Sequence, residues 1–320
     1  MTTTVWTDRS DLSSAADTAL TLTARFWFLV AVAGQWIFLV YVIAFYGGSA
    51  IRGQREAWNQ VIPNGYTPGA TLSNVAVAVH LSLAVIIMAG GPLQLLPGIR
   101  RRAPVFHRWN GRVYTLTVFV TSIVGLYMVW SRGRAELVQR VGISLDAVLI
   151  MTFAFLAVRS AIGRNLRTHR HWALRLLMVV NAGWFFRIGL MQWIFLNHGP
   201  ADFDPKTFRG PFLSFLSFAD YALPLILLEI YLRASDRGSP AGRFVMAAAL
   251  MVATIATGVA IFAATMVLWL PHIRVADENR SCAHTEACIL VVLDQELTVK
   301  RTALIGHPTA NNESGRPSDA

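Results

Sequence analysis

Ionisable side chains stand in this sequence where apolar ones are expected. His80 and Asp146 each fall within a long apolar run. Arg175 and Arg187 share another, and Asp220 and Glu229 share a fourth. Charged groups at membrane depth are costly, so they turn toward a bundle interior or a wet cavity, where they bind ions, relay protons or neutralise one another. Histidine and arginine together also suit an anionic ligand or a quinone. Histidines on facing helices can serve as the axial ligands of haem b. The starts of two runs carry similar basic-aromatic patterns. His107, Arg108, Trp109, Arg112 and Tyr114 open one, and His169, Arg170, His171, Trp172 and Arg175 open the other.

The elements that must position these groups are apolar helices. Of 320 residues, 54% are hydrophobic and only 14% charged, which is not the balance of a soluble domain. Apolar runs at 25–46, 72–96, 113–130, 141–161, 172–196, 212–232 and 244–270 have the length a helix needs to cross a hydrocarbon core. Alternating segments of about ten residues, the mark of a membrane β-barrel, do not occur. The expected fold is all-α, a polytopic transmembrane bundle of about seven spans with a short extramembrane C-terminal tail. Residues 1–24 form a polar leader, disordered or interfacial; 25–270 form the bundle; 271–320 form a partly disordered tail. The first run is too long for a signal-peptide core and reads as a span.

The net charge of +10 does not point to nucleic acid, because the basic residues cluster in short loops between apolar runs. Loops 98–112, 159–171 and 233–243 are rich in Arg and alternate with less basic ones. The positive-inside rule places these three in the cytoplasm and the protein in the cell inner membrane, with the N-terminus cytoplasmic and the tail outside. The expected partners are the bilayer and, at the Arg loops, anionic lipid headgroups. On this topology Cys282 and Cys288 face an oxidising compartment and could close a small disulfide loop. With His284 they make three ligands at a spacing that does not match an established zinc site, so no metal is assigned.

Depth along each span, at about 1.5 Å per residue, sorts the ionisable groups into two layers. His80, Arg187 and Asp220 form an outer layer, with Asp146 somewhat shallower. His107, His169, His171, Arg175 and Glu229 form an inner one, with Gln94 nearby. Opposite charges at one depth should neutralise each other, so Arg187–Asp220 is the expected pair. Asp220 and Glu229 are nine residues apart and point to opposite sides of a straight helix, unless Pro224 kinks it. Glu229 therefore stays without an assigned partner and suits an interfacial, snorkelling position.

The segment "GPLQLLPGIRRRAPVFHRWNGRVY" and the later "HRHWALR" resemble a family of bacterial predicted membrane proteins known as domain of unknown function 2306. That family carries G-P-x-Q, then H-R-x-x-G-R-x-Y, then H-R-x-W-x-x-R with a further Arg about a dozen residues on. Gly91, Pro92, Gln94, His107, Arg108, Gly111, Arg112, Tyr114, His169, Arg170, Trp172, Arg175 and Arg187 fall on this pattern. The resemblance covers 72–193. It departs at His171, a second histidine at a variable position, and in the polar tail. It implies a membrane-embedded fold and a set of positions, and no activity.

Three functions fit these residues. The first is electron transfer through haem b or a quinone, held by His107 with His169 or His171 and assisted by Arg112 and Arg175. That placement resembles one of the two haem sites of the cytochrome b561-type bundle; the second site is lacking, since the fourth span has no histidine to face His80. The second function is a small-molecule or proton-coupled transporter or receptor. Its cavity would be lined by Arg187, Asp220, His80, Gly90 and Gly91, with loop 47–71 as its cover. The third is a non-catalytic role in membrane assembly. No H-E-x-x-H or G-x-S-x-G motif marks a hydrolase. A retinal Schiff base is excluded because neither Lys206 nor Lys300 lies in a span.

Overall fold

The structure, a computed structural model, describes residues 4–62, 64–132 and 135–273. The expectations for Cys282, His284, Cys288 and the tail lie outside these residues. Helix α1 (Thr4–Tyr41) runs through a π-helical turn (Val42–Gly47) into the short α2 (Gly48–Ile51). A 3₁₀ turn (Arg55–Gln60) leads to α3 (Thr71–Leu95) and the one-turn α4 (Pro97–Arg102). Then come α5 (Pro104–Ser131), α6 (Leu137–Ile162), α7 (Leu166–Val180), α8 (Ala182–Leu196), α9 (Pro211–Arg237) and α10 (Pro240–Ala264). A second π-helical turn (Thr265–Trp269) extends α10. Among the described residues, six helices are long and apolar enough to cross a membrane, and seven spans result if the bent α7–α8 pair counts as one.

The helix starts follow from local chemistry. Pro97, Pro104, Pro211 and Pro240 occupy first-turn positions, where the missing N–H costs nothing. Glu136 and Gln139 close a capping box at α6, and Ser239 accepts from the Gly242 N–H at α10.

Two expectations need correction. The polar leader is no separate segment, because α1 is continuous from Thr4 through Tyr41. Ala16 and Leu20 are buried, Leu20 packs with Met246, Ala247 and Leu250 of α10, and Asp17 pairs with Arg243 at 2.8 Å. A small-residue apolar stripe with polar neighbours was enough to continue the helix beyond the hydrophobic run. Residues 172–196 are not one straight helix either. Asn181, 6% exposed, turns its side-chain N–H to the Leu177 carbonyl at 2.7 Å, and its own carbonyl accepts from the Trp184 and Phe185 N–H groups. An asparagine that satisfies the backbone locally competes with helix continuation, and α8 departs from α7 by 49°.

This bent pair fills the middle of the bundle. Leu176 and Val179 of α7 share a buried cluster with Ile87 of α3, Tyr114 and Val118 of α5, Ala154 of α6 and Tyr221 of α9. Trp184 and Ile188 of α8 share another with Phe38 and Tyr41 of α1, Val77 of α3, Leu213 of α9 and Ile261 of α10. The outer faces are apolar: Leu29, Leu72, Leu116, Ile123, Phe155 and Phe262 are exposed. In the most apolar window of α3 only 17% of residues are buried. Apolar outside and polar within is the arrangement a bilayer solvent selects.

Helices α6 and α9 approach closely, backbone to backbone. A Cβ on Gly142 would stand 2.7 Å from both the carbonyl and hydroxyl oxygens of Ser217. Small residues at such crossings let helix backbones meet. Gly142→Ala is expected to lower stability by about 1–3 kcal/mol, the cost of overpacking. Gly258→Ala, where a Cβ meets nothing within 4 Å, should be neutral or stabilising. Thermal unfolding of both variants in detergent checks the contrast; equal transitions would refute the close crossing.

Candidate functional site

At the Arg-rich end, the motif residues of α3 and α5 form a seam. The Asn110 side-chain N–H donates to the Gly90 carbonyl at 3.0 Å, and a Cβ on Gly90 would meet Asn110 Oδ1 at the same distance. A Cβ on Gly91 would stand 3.1 Å from the Tyr114 ring. The Gln94 amide donates to the His107 carbonyl at 3.2 Å and lies against Gly111. Gly90, Gly91, Gln94, Gly111 and Tyr114 thus act as packing and register elements. The Tyr114 hydroxyl is buried without a hydrogen-bond partner. Asn110 was not singled out from sequence; its polar side chain opposite Gly90 was the available signal.

A ladder of charge pairs joins α7 to α9 at the same end. Arg175 forks onto Glu229, with Nε donating to Oε1 at 2.5 Å and Nη2 to Oε2 at 3.0 Å. The two side chains are 20% and 34% exposed. The Arg175 guanidinium also lies 4.7 Å from the Trp172 ring centre. Two turns further along α9, Asp236 meets Arg167 at 3.3 Å and His171 at 3.8 Å. Asp236 is the partner that sequence reasoning missed, although its seven-residue spacing from Glu229 places both on one face. Glu229 is no free snorkelling group, since its carboxylate is the Arg175 partner.

His107 comes into electrostatic range of His169, not of His171, which has turned to Asp236. His169 Nδ1 lies 2.9 Å from the Ala157 carbonyl oxygen. A carbonyl only accepts, so this contact places a proton on Nδ1 and leaves Nε2 as the free position. His107 Nδ1 is buried without a partner. Arg112 stacks on Trp109 of its own helix, 5.0 Å from the ring centre.

Toward the opposite end, Arg187 is the centre of a different group. Its Nη1 donates to the Gly183 carbonyl at 2.6 Å, and its guanidinium lies 5.1 Å from the Phe38 ring centre. Tyr41, Tyr46 and His80 lie within its electrostatic reach. Trp269 packs on Phe38 at 5.2 Å and on Tyr41 at 6.3 Å between ring centres. The hydroxyls of Tyr41 and Tyr46 are buried within hydrogen-bonding reach of each other, while Nδ1 of His80 and the indole nitrogens of Trp184 and Trp269 are buried with no hydrogen-bond partner among the described residues. Each of the two π-helical turns contributes: one begins directly after Tyr41 and contains Tyr46, the other ends at Trp269. An extra residue in a turn re-aims the side chains beyond it, and such turns recur at functional sites. The His80 ring packs against α5 at Gly125 and at the Thr121 backbone. Tyr41, Tyr46 and Trp269 were missed from sequence; two tyrosines five apart in the first apolar run were the legible hint.

The expected Arg187–Asp220 pair does not form. No ion pair joins Arg187 to an acid among the described residues, and one Asp220 oxygen is buried without a partner. The reason is the break at Asn181. Facing was counted along a straight helix, whereas the bend carries Arg187 toward Phe38 of α1. Asp220 instead lies in range of Asp146 on α6, with Tyr221 acting on both. Along α9, Asp220 lies toward Asp146 of α6 and Glu229 toward Arg175 of α7.

Residues 77–206 match a family described as predicted membrane protein, domain of unknown function 2306. The match runs from α3 into the loop after α8. It takes in the seam, Arg175, His80 and Arg187, while Tyr41, Tyr46, Trp269 and Asp220 lie outside it. No curated protein and no solved structure matched the chain.

Glu229→Gln should lower stability by about 1–3 kcal/mol, because Arg175 loses a charge-assisted partner. The charge-swapped double variant, Arg175→Glu with Glu229→Arg, should recover part of that loss. Tyr114→Phe removes an unpartnered hydroxyl and should be neutral or stabilising. Thermal unfolding in one detergent compares all three; a destabilised Tyr114→Phe would mean that the hydroxyl has a partner.

Proposed function

We propose that this integral membrane protein binds a small molecule bearing a carboxylate or a similar anionic group at Arg187, as a transporter or receptor does. The observation that carries this reading is a membrane-depth guanidinium with no acidic partner among the described residues, set among buried, unpartnered polar groups. A guanidinium and an indole N–H only donate, and a tyrosine hydroxyl can donate, so together they suit an acceptor-rich anion. The rings of Phe38, Tyr41 and Trp269 suit an apolar body on that ligand. Exposed Arg100, Arg101 and Arg102 on α4 support contact with anionic lipid headgroups. By the same rule, the Arg-rich end faces the cytoplasm of the cell inner membrane.

Benzoate serves as the probe and benzyl alcohol as its uncharged counterpart, both added to the purified full-length chain in detergent. Benzoate should raise the thermal transition saturably, as any ligand selective for the folded state does. Arg187→Gln should abolish that rise and Tyr46→Phe should weaken it. A response of equal size to benzyl alcohol, or one that survives in Arg187→Gln, would remove the anion site.

A second reading, electron transfer through haem b or a quinone, is favoured by His169. Its Nδ1 bond to a backbone carbonyl is the orientation metal-ligating histidines commonly receive. His107 stands next to it, and Arg112 and Arg175 follow on the same helices. With haem supplied during expression, the redox reading expects a Soret band that His107→Ala abolishes. A colourless protein under those conditions would sink the haem form of it.

A further inference from the structure

Helices α6 and α9 run in the same direction, and two contacts set their register. At their starts, the Ser214 hydroxyl donates to Glu136 Oε2 at 3.1 Å. Further in, Gly142 meets Ser217 so closely that a Cβ on Gly142 would lie 2.7 Å from both Ser217 oxygens. About one turn deeper come Asp146, four residues after Gly142, and Asp220 and Tyr221, three and four residues after Ser217. Residues three and four apart share a helix face, so the Gly142–Ser217 crossing delivers all three to one level of one interface.

Among the described residues they find no counterion there. Asp146 and Asp220 each keep a buried oxygen without a hydrogen-bond partner. Tyr221 is 4% exposed, and its hydroxyl is likewise buried and unpartnered. The ionisable groups that act on this pair are the two carboxyls themselves and Tyr221. From α5, α7, α8 and α10, which pack around these helices, no titratable side chain among the described residues reaches it. Basic side chains of α7 and α8 lie elsewhere: Arg175 at Glu229, Arg167 and His171 at Asp236, and Arg187 at Gly183 and Phe38.

Two adjacent carboxylates cannot both stay ionised at membrane depth without a positive charge between them. We infer that Asp146, Asp220 and Tyr221 form a monovalent-cation site, in which a proton or Na⁺ is held between the carboxyl oxygens. All the groups present are oxygens. They can share one proton as a carboxylic acid–carboxylate pair, or they can ligate a hard cation. Once the cation is bound, the Tyr221 hydroxyl is the donor available to whichever oxygen remains ionised. This inference stands apart from the anion reading of Arg187. If both sites operate, an anion and a cation bound in one bundle could cross with little net charge.

The test is labelling of the purified full-length protein with dicyclohexylcarbodiimide at neutral pH, in choline buffer, read by peptide mass spectrometry. The reagent takes the acid proton on one nitrogen while the carboxyl oxygen adds to its central carbon. The adduct rearranges to an N-acylurea with no atom lost and no change of oxidation state. Asp146 or Asp220 should label at least about tenfold faster than the exposed Asp204, and the rate should fall as pH rises. Replacing choline with Na⁺ separates the occupants: protection identifies Na⁺, and an unchanged rate identifies the proton. Asp146→Asn combined with Asp220→Asn should remove the labelled peptides. Labelling of both residues no faster than Asp204 in the wild-type chain would overturn the inference, and that measurement needs no variant to fold. Because no anion is added, this result is independent of the benzoate experiment.

Discussion

The hydrogen bond from the Asn181 amide to the Leu177 carbonyl, 2.7 Å long and buried at the centre of the bundle, ends α7 and lets α8 leave at 49°. The other long helices pack around the pair this break creates. A straight helix from 166 to 196 would present one continuous face. The bent one presents two, so α7 answers to α5, α6 and α9, while α8 answers to α1, α9 and α10. The polar groups divide accordingly: Arg175 before the break finds Glu229, and Arg187 after it finds aromatic rings and tyrosines.

A bilayer offers no water to a misplaced charge, so the polar contents of the bundle are informative one residue at a time. At the Arg-rich end the charges between α7 and α9 are settled within the protein. Forked and single ion pairs connect α7 to α9, and the glycine-rich seam between α3 and α5 packs on amide contacts. Toward the other end they are not settled. The Arg187 group carries a positive charge with donors around it, and the Asp146–Asp220 pair carries negative charge with one hydroxyl beside it. Structural roles account for most of the motif residues at the Arg-rich end. The unbalanced groups, Arg187 and the Asp146–Asp220 pair, are the ones that the proposed ligands would satisfy.

The two π-helical turns belong to the same logic. Both lie at the ends of long helices that sit side by side, α1 and α10, and both feed aromatic residues into the Arg187 group. A regular helix would carry Tyr46 to another side of α1 than it occupies here. The wider turn keeps it beside Tyr41, with 5.9 Å between ring centres.

From the sequence alone, apolar run length determined the membrane-embedded all-α class, and prolines and capping residues fixed most helix starts. Depth counting placed His80, Asp146, Arg187 and Asp220 in one half of the bundle and His107, His169, His171, Arg175 and Glu229 in the other. These follow from quantities that accumulate along the chain: hydrophobicity, rise per residue and local hydrogen-bonding habit. Which groups face each other was not legible, because azimuth depends on every bend between them. One asparagine side chain redirected Arg187 from Asp220 to Phe38, and one glycine crossing set Asp146 against Asp220. Pairing is decided by the packing of whole helices, and only the tertiary structure holds that information.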